Sequence, residues 1–150
     1  MKSENGAARI KIRQARPSDA TQLAELAGEL GYPTTAKEIR QRLARLKPLT
    51  IHAVFVAEAG ERLIGWTHVS RNHLLESPVR AEVNGLIVSS TARSQGAGKL
   101  LLAAAEEWAR KQRCTGVNLR SNVIRDRAHA FYLREGYEHY KTQKAFRKAL

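Results

Sequence analysis

Leu86 to Leu102 reads LIVSSTARSQGAGKLLL. An apolar run ends in a polar turn, and the turn opens into an apolar-periodic helix. At the junction stand Gln95, Gly96, Ala97, Gly98 and Lys99. The first turn of a helix has backbone N–H groups with no intrahelical partner, and the macrodipole adds roughly half a positive charge there. Gly96 and Gly98 carry no Cβ, so an anion can approach the backbone closely. A strand feeding such a helix start can cradle a phosphate. Without a ligand, the same residues would make a glycine-softened connection. Two phosphate loops fail on the residues. A Walker A loop needs glycine where Arg93 stands and a magnesium-binding hydroxyl where Leu100 stands. The dinucleotide fingerprint begins at Gly96 and Gly98 but meets Leu101 in place of its third glycine.

Arg93-Ser94-Gln95-Gly96-Ala97-Gly98 has the form R-x-x-G-x-G. It resembles the pyrophosphate loop of the GNAT superfamily of N-acetyltransferases, which hold acetyl-CoA there. A second stretch, Ala128-x-x-Phe131-Tyr132-x-x-x-Gly136-Tyr137, is similar to the family's A-x-x-F-Y-x-x-x-G-F/Y motif. The resemblance implies that Arg93, Ser94, Gln95, Gly96, Ala97, Gly98 and Lys99 grip the pyrophosphate through backbone N–H groups. It implies that the backbone of Leu86, Ile87 and Val88 pairs with the pantetheine arm and polarises the thioester carbonyl. Tyr132 would donate a proton to the sulfur, and Glu82 would draw the amine proton directly or through water. Many members carry an asparagine three residues before the alanine. Here Arg125 fills that place and Asn122 lies earlier, so either could take the cofactor contact, and Arg125 or Arg127 could meet the ribose phosphate. On residue type alone, Tyr132 is also an ordinary core aromatic and Glu82 a surface carboxylate.

The implied reaction moves an acyl group from a thioester to an amine. An alkylammonium has a pKa near ~10, so deprotonation at neutral pH costs about 4 kcal/mol. A general base offsets part of that, and the thiolate benefits from a proton. The developing oxyanion needs donors. Period-two alternation along the strand places Glu82, Asn84, Leu86 and Val88 on one face.

These residues need a scaffold, and the chain supplies its elements in order. Arg9 to Ala15 alternates as a half-buried strand. Ser18 or Asp19 caps a helix with the stripe Leu23, Leu26, Ala27 and Leu30, which Gly31 closes. Thr34 or Thr35 starts a second helix carrying Ile39, Leu43 and Leu46. Ile51 to Ala59 and Leu63 to Val69 form a hairpin about Gly60-Glu61. Val79 to Ser89 leads into the glycine turn. Leu100 to Arg113 is a helix with Leu101, Ala105, Trp108 and Ala109 on one face. Cys114 to Arg120 is a short strand, Ala128 to Glu135 a helix, and Tyr137 to Leu150 supplies the last strands. The mixture predicts an α/β fold, with a mixed central sheet and helices on both faces. The order is also that of the GNAT acyl-CoA N-acyltransferase fold.

One hundred and fifty residues with 43% hydrophobic content suit one globular domain. Met1 to Ala8 is polar and does not read as a secretory signal. We expect a disordered tail over 1–8 and a single acetyltransferase domain over 9–150. No apolar stretch approaches the ~20 residues of a membrane span. Cys114 is the only cysteine, which fits a cytoplasmic protein and reads as a small core residue. The formal charge of +12 permits nucleic acid. The basic residues, however, spread along the chain without a recognisable binding motif, which speaks against that partner. His52, His68, His73, His129 and His139 show no ligand spacing, so no metal is assigned. His68 reads as a strand-surface histidine before a second base. Glu25, Glu29 and Glu38 read as a solvated helix face that could also attract a cationic amine.

The carboxy-terminal stretch is similar to small bacterial members that acetylate aminoalkylphosphonates and aminoglycosides, so the acceptor implied is a small primary amine. A protein N-terminus or lysine is the alternative acceptor. A basic nucleic-acid module and a CoA-binding regulator without catalysis are the alternatives of other classes. The family resemblance also allows a homodimer.

Overall fold

The computed structural model describes residues 9–48, 50–93 and 95–150; the amino-terminal tail lies outside them. The chain falls into two compact units, one up to Leu119 and one over Arg120–Leu150.

The first unit runs β1 (Ile10–Gln14), α1 (Ala20–Glu29), α2 (Ala36–Leu46), β2 (His52–Ala59), β3 (Arg62–Asn72), β4 (Arg80–Val88), α3 (Ala97–Lys111) and β5 (Val117–Leu119). Its sheet has the order β1-β2-β3-β4-β5. The first three pairings are antiparallel and β4 pairs with β5 in parallel. The two-residue loop Gly60-Glu61 closes the expected hairpin, with Ala59 opposite Arg62. The parallel pair needs a crossover connection, and α3 supplies it.

Helices cover both faces. On one, Leu23, Leu26 and Ala27 of α1 pack with Val56, Leu63 and Ile87, flanked by Ile39, Leu43 and Trp66. On the other, Ala97 and Leu101 of α3 pack with Ala57 and Ile64, flanked by Phe55, Leu86 and Val88. Of the expected stripes, Leu23, Leu26 and Ala27 of α1 and Leu101, Ala105 and Ala109 of α3 are buried, with Ala20, Ala97 and Leu102 added, while Leu30, the C-cap of α1, and Trp108 are only half-buried. α3 also begins three residues earlier than its apolar period suggests.

Helix ends follow local chemistry. Thr35 caps α2 by accepting from the Glu38 N–H at 3.1 Å. Beyond α1, the Gly31 and Tyr32 N–H groups donate to the carbonyls of Gly28 and Ala27, closing the helix as a Schellman turn. The expected side-chain cap of α1 does not form. Ser18 and Asp19 lie in a 3-10 turn, Pro17–Asp19, and the Asp19 carboxylate turns back to accept from the Arg16 N–H at 2.7 Å.

That carboxylate also receives Arg13 at 2.8 and 2.9 Å, while Arg13 reaches Glu58 at 2.8 Å. The Arg13 and Asp19 side chains are 13% and 7% exposed, so little water would replace a lost partner. The Arg13 hydrogen bond, against an opposing desolvation, holds the Asp19 carboxyl below its ordinary 3.8. Truncating one partner of a buried pair costs about 3–5 kcal/mol. Since Glu58 still serves Arg13, we expect Asp19→Ala to cost about 2–4 kcal/mol in urea melts at pH 7. A depressed folded pKa gives stability above the unfolded value and loses it as pH falls through the folded one. The gap between wild type and variant should therefore narrow below the ordinary 3.8.

The second unit holds α4 (Asp126–Arg134). Residues 137–150 carry no strand, which corrects the expectation of closing strands. From Tyr137 on, the apolar residues do not alternate with polar ones, and Lys141, Lys144, Arg147 and Lys148 crowd the segment. No one-sided apolar face exists there to bury. β5 is likewise shorter than the run from Cys114. Cys114 is half-buried and not in the core, and burial pushes its thiol pKa up.

Candidate active site

β4 organises the first unit's site. His68 pairs with Gly85 and Val69 with Val83, so Asn84 is an extra residue on β4. This is a β-bulge, and it shifts the phase of the strand. Glu82 lies opposite Ser70, and Asn84 donates to the Ser70 hydroxyl at 2.9 Å. A Cβ on Gly85 would meet the Trp66 ring at 3.0 Å, so Gly85 faces the α1 side with Trp66 and Ile87. Leu86 and Val88 pack on the α3 side. The expectation that Glu82, Asn84, Leu86 and Val88 share one face is thus corrected. Glu82 and Asn84 stay together, and the bulge turns Leu86 and Val88 away.

The bulge also sets the backbone directions. The Ser89 N–H donates to the Ile64 carbonyl at 2.8 Å, and the Ile87 carbonyl lies 2.7 Å from a Cβ built on Gly65. Ile87 and Ser89 therefore turn their polar groups toward β3. Successive residues alternate in this respect, so Leu86 and Val88 turn theirs to the opposite edge. β5 pairs only with Ala81, Glu82 and Val83, so among the described residues no strand covers that edge beyond Val83. A cavity of about 160 Å³ opens by this end of β4, lined by Glu29, Leu30, Ile87, Val88, Ser90 and Arg93. Glu29 accepts from the Ser90 N–H at 3.2 Å. One acid of the expected solvated helix face therefore fastens the end of α1 to the turn after β4.

The turn after β4 ends in Gly96, which sits at φ +86° as the N-cap of α3. L side chains rarely adopt that conformation. The Leu100 N–H bonds to the Gly96 carbonyl at 3.1 Å, so the N–H groups of Ala97, Gly98 and Lys99 precede the first helical bond. A helix start of this kind, with the dipole behind it, suits an anion. Arg93 is exposed just before the turn, as are Gln95 and Lys99. Ser94 lies outside the described residues. An acyl-CoA fits this donor set: first-turn amides for a diphosphate, then a strand edge that no described strand pairs for an amide-bearing arm.

On the same sheet face as Glu82, His52 Nδ1 and His68 Nε2 are 3.0 Å apart, with their rings stacked at 5.2 Å. His68 is half-buried and not a surface histidine. Burial, with the neighbouring His52 adding to it, pushes its pKa down to about 4. Sequence reading missed this pair. The available signal was the hairpin, because closure at Gly60-Glu61 brings position 52 opposite positions 68–70.

In the second unit, Tyr132 lies on α4 beside Phe131 and Tyr137, at ring distances of 5.3 and 6.1 Å. Gly136, at φ +91°, lets the Tyr137 N–H reach the Tyr132 carbonyl at 3.0 Å. Burial raises the Tyr132 pKa against an opposing pull from Arg125, so the phenol stays protonated at neutral pH. Asn122 accepts from the Ile124 N–H at 3.2 Å, and its carbonyl oxygen lies 2.9 Å from His129 Nε2. Arg125 is the N-cap of α4.

Residues 19–137 match the model of the acetyltransferase (GNAT) family. An aminoglycoside N(6')-acetyltransferase type 1 from Stenotrophomonas maltophilia is 31% identical, covering 93% of each chain. An aminoalkylphosphonate N-acetyltransferase from Salmonella typhimurium is 41% identical over 75 residues, about half the length of each chain. Among solved structures, an aminoglycoside N-acetyltransferase in complex with CoA superposes with a TM-score of 0.85 at 18% identity, covering 97% of this chain and 99% of that one. It shares the fold. No helix among the described residues is long and apolar enough to cross a membrane. The chain belongs to the acetyltransferase (GNAT) family and is an N-acetyltransferase of that family.

Proposed function

We propose that the chain transfers the acetyl group of acetyl-CoA to a primary amine of a small molecule, with Glu82 as general base and Tyr132 as general acid. The observation that carries this reading is β4. Its edge at Leu86 and Val88, with which no strand pairs among the described residues, leads to the amides of Ala97, Gly98 and Lys99 in the first turn of α3, and its earlier half carries a carboxylate on the α1 face. When bound, acetyl-CoA supplies the activated acyl carbon. Arg93 to Lys99 hold the diphosphate, with Asn122 or Arg125 as a further contact. The Leu86 to Val88 backbone aligns the pantetheine arm, and an N–H from this edge polarises the thioester carbonyl. Glu82 removes the amine proton and Tyr132 gives a proton to the sulfur.

Two relatives named for acetylating small amines support a small acceptor. The match over 19–137 runs through both units, which supports their working as one acetyltransferase domain. The single half-buried cysteine suits the cytoplasm.

Calorimetry with CoA, followed by a screen of aminoalkylphosphonates, aminoglycosides and peptides read by thiol release, tests the proposal. We expect micromolar CoA binding and turnover with one of the small amines. No CoA binding at high micromolar concentration would overturn it. Turnover with peptides alone would move the acceptor to proteins.

A further inference from the structure

Acetyl transfer to an ammonium-form acceptor makes one N–C bond, breaks one C–S bond and yields an amide, a thiol and one proton. A base that receives the proton must pass it on before the next turnover. We propose that His68 and His52 form the route by which this proton leaves Glu82 for solvent. The inference rests on Glu82 being the base.

The sheet register carries the argument. His52 is opposite Ser70, and Ser70 is opposite Glu82, so the three form a row across β2, β3 and β4. Residues directly opposite share a face. His68 stands two positions before Ser70 on β3 and so shares that face. It lies diagonal to Glu82 across the bulge, and the proposed route crosses that gap through water. Ser70 itself is not the carrier. Its hydroxyl accepts from Asn84 at 2.9 Å and donates to Asn72 at 3.3 Å.

Between the two imidazoles, a nitrogen separation of 3.0 Å needs one hydrogen, on one ring or the other. A proton arriving at His68 Nδ1 releases the Nε2 hydrogen to His52 Nδ1. His52 Nε2 then gives its hydrogen to solvent, which leaves both rings in the other tautomer, and each ring returns to its starting tautomer by proton exchange with water before the next turnover. No charge accumulates on His68, in keeping with its depressed pKa. Of the charged groups near this face, Arg13 is engaged with Asp19 and Glu58, and Arg80, two residues before Glu82 on β4, shares the face of Glu82.

The test uses the whole chain in dilute, non-imidazole buffer. We expect His52→Ala to lower kcat about tenfold, as an impeded proton transfer would, with the KM for amine and acetyl-CoA unchanged. Free imidazole should restore the rate in proportion to its concentration. CoA binding checks that the variant folds, and His52→Gln, which keeps the bulk but passes no proton, repeats the test if it does not. A full rate in dilute buffer, or a loss that imidazole leaves untouched, overturns the route while Glu82 keeps its role. A full rate in Glu82→Gln would overturn the base and the route together.

Discussion

Glu82→Gln lowers the rate of amine acetylation by about tenfold to a few hundredfold, in the lower part of the usual acid–base range. Glutamine keeps the size and the polarity of the side chain but cannot accept the proton. The affinity for CoA should not move, since the proposed diphosphate site and the open edge of β4 are built from backbone groups beyond Val83. The pH profile separates a base from a structural carboxylate. Without its base the enzyme relies on acceptor that is already neutral. Its rate should then rise about tenfold per pH unit until the amine titrates near ~10. The two enzymes converge at high pH. An equal loss at every pH would assign Glu82 to packing.

Tyr132→Phe is expected to cost a similar factor, about tenfold to a few hundredfold, through loss of the proton for the departing sulfur. Phenylalanine keeps the ring against Phe131 and Tyr137, so the fold and the KM for acetyl-CoA should hold while kcat falls. Burial raises the phenol's pKa above the ordinary 10. The protonated, donating form therefore persists up to that value and beyond. Wild type should show no alkaline loss from this group below pH 10. An alkaline limb that survives in Tyr132→Phe would belong to another residue. An unchanged rate in both Glu82→Gln and Tyr132→Phe would dissolve the catalytic assignment.

Much of this was legible in the order of residues. The glycine turn after an apolar run marks a strand feeding a helix, and the structure puts Gly96 at the α3 N-cap. The apolar stripes of α1 and α3 are periodic enough to name most of the buried positions, Leu23, Leu26 and Ala27 on one and Leu101, Ala105 and Ala109 on the other. The hairpin at Gly60-Glu61 follows from its two turn residues. The bulge was not legible, because an extra residue in one strand leaves no mark in composition. It shows only against the partner's register, and strict alternation then misplaces Leu86 and Val88. Asp19 misled for a related reason. Its type suits a cap, but Arg13, six residues earlier, and the Arg16 N–H claim the carboxylate. The closing strands expected over 137–150 have no alternation in the local sequence to support them.

Asn84 has a consequence for how the protein can tolerate change. Most point substitutions in β4 would alter one contact each. Deleting a single residue at Asn84 would instead re-phase the strand, so that either Glu82 rotates beneath α3 or Leu86 and Val88 rotate out from under it. A library of one-codon deletions across β4 should therefore find this position far more sensitive than its exposed, polar side chain suggests.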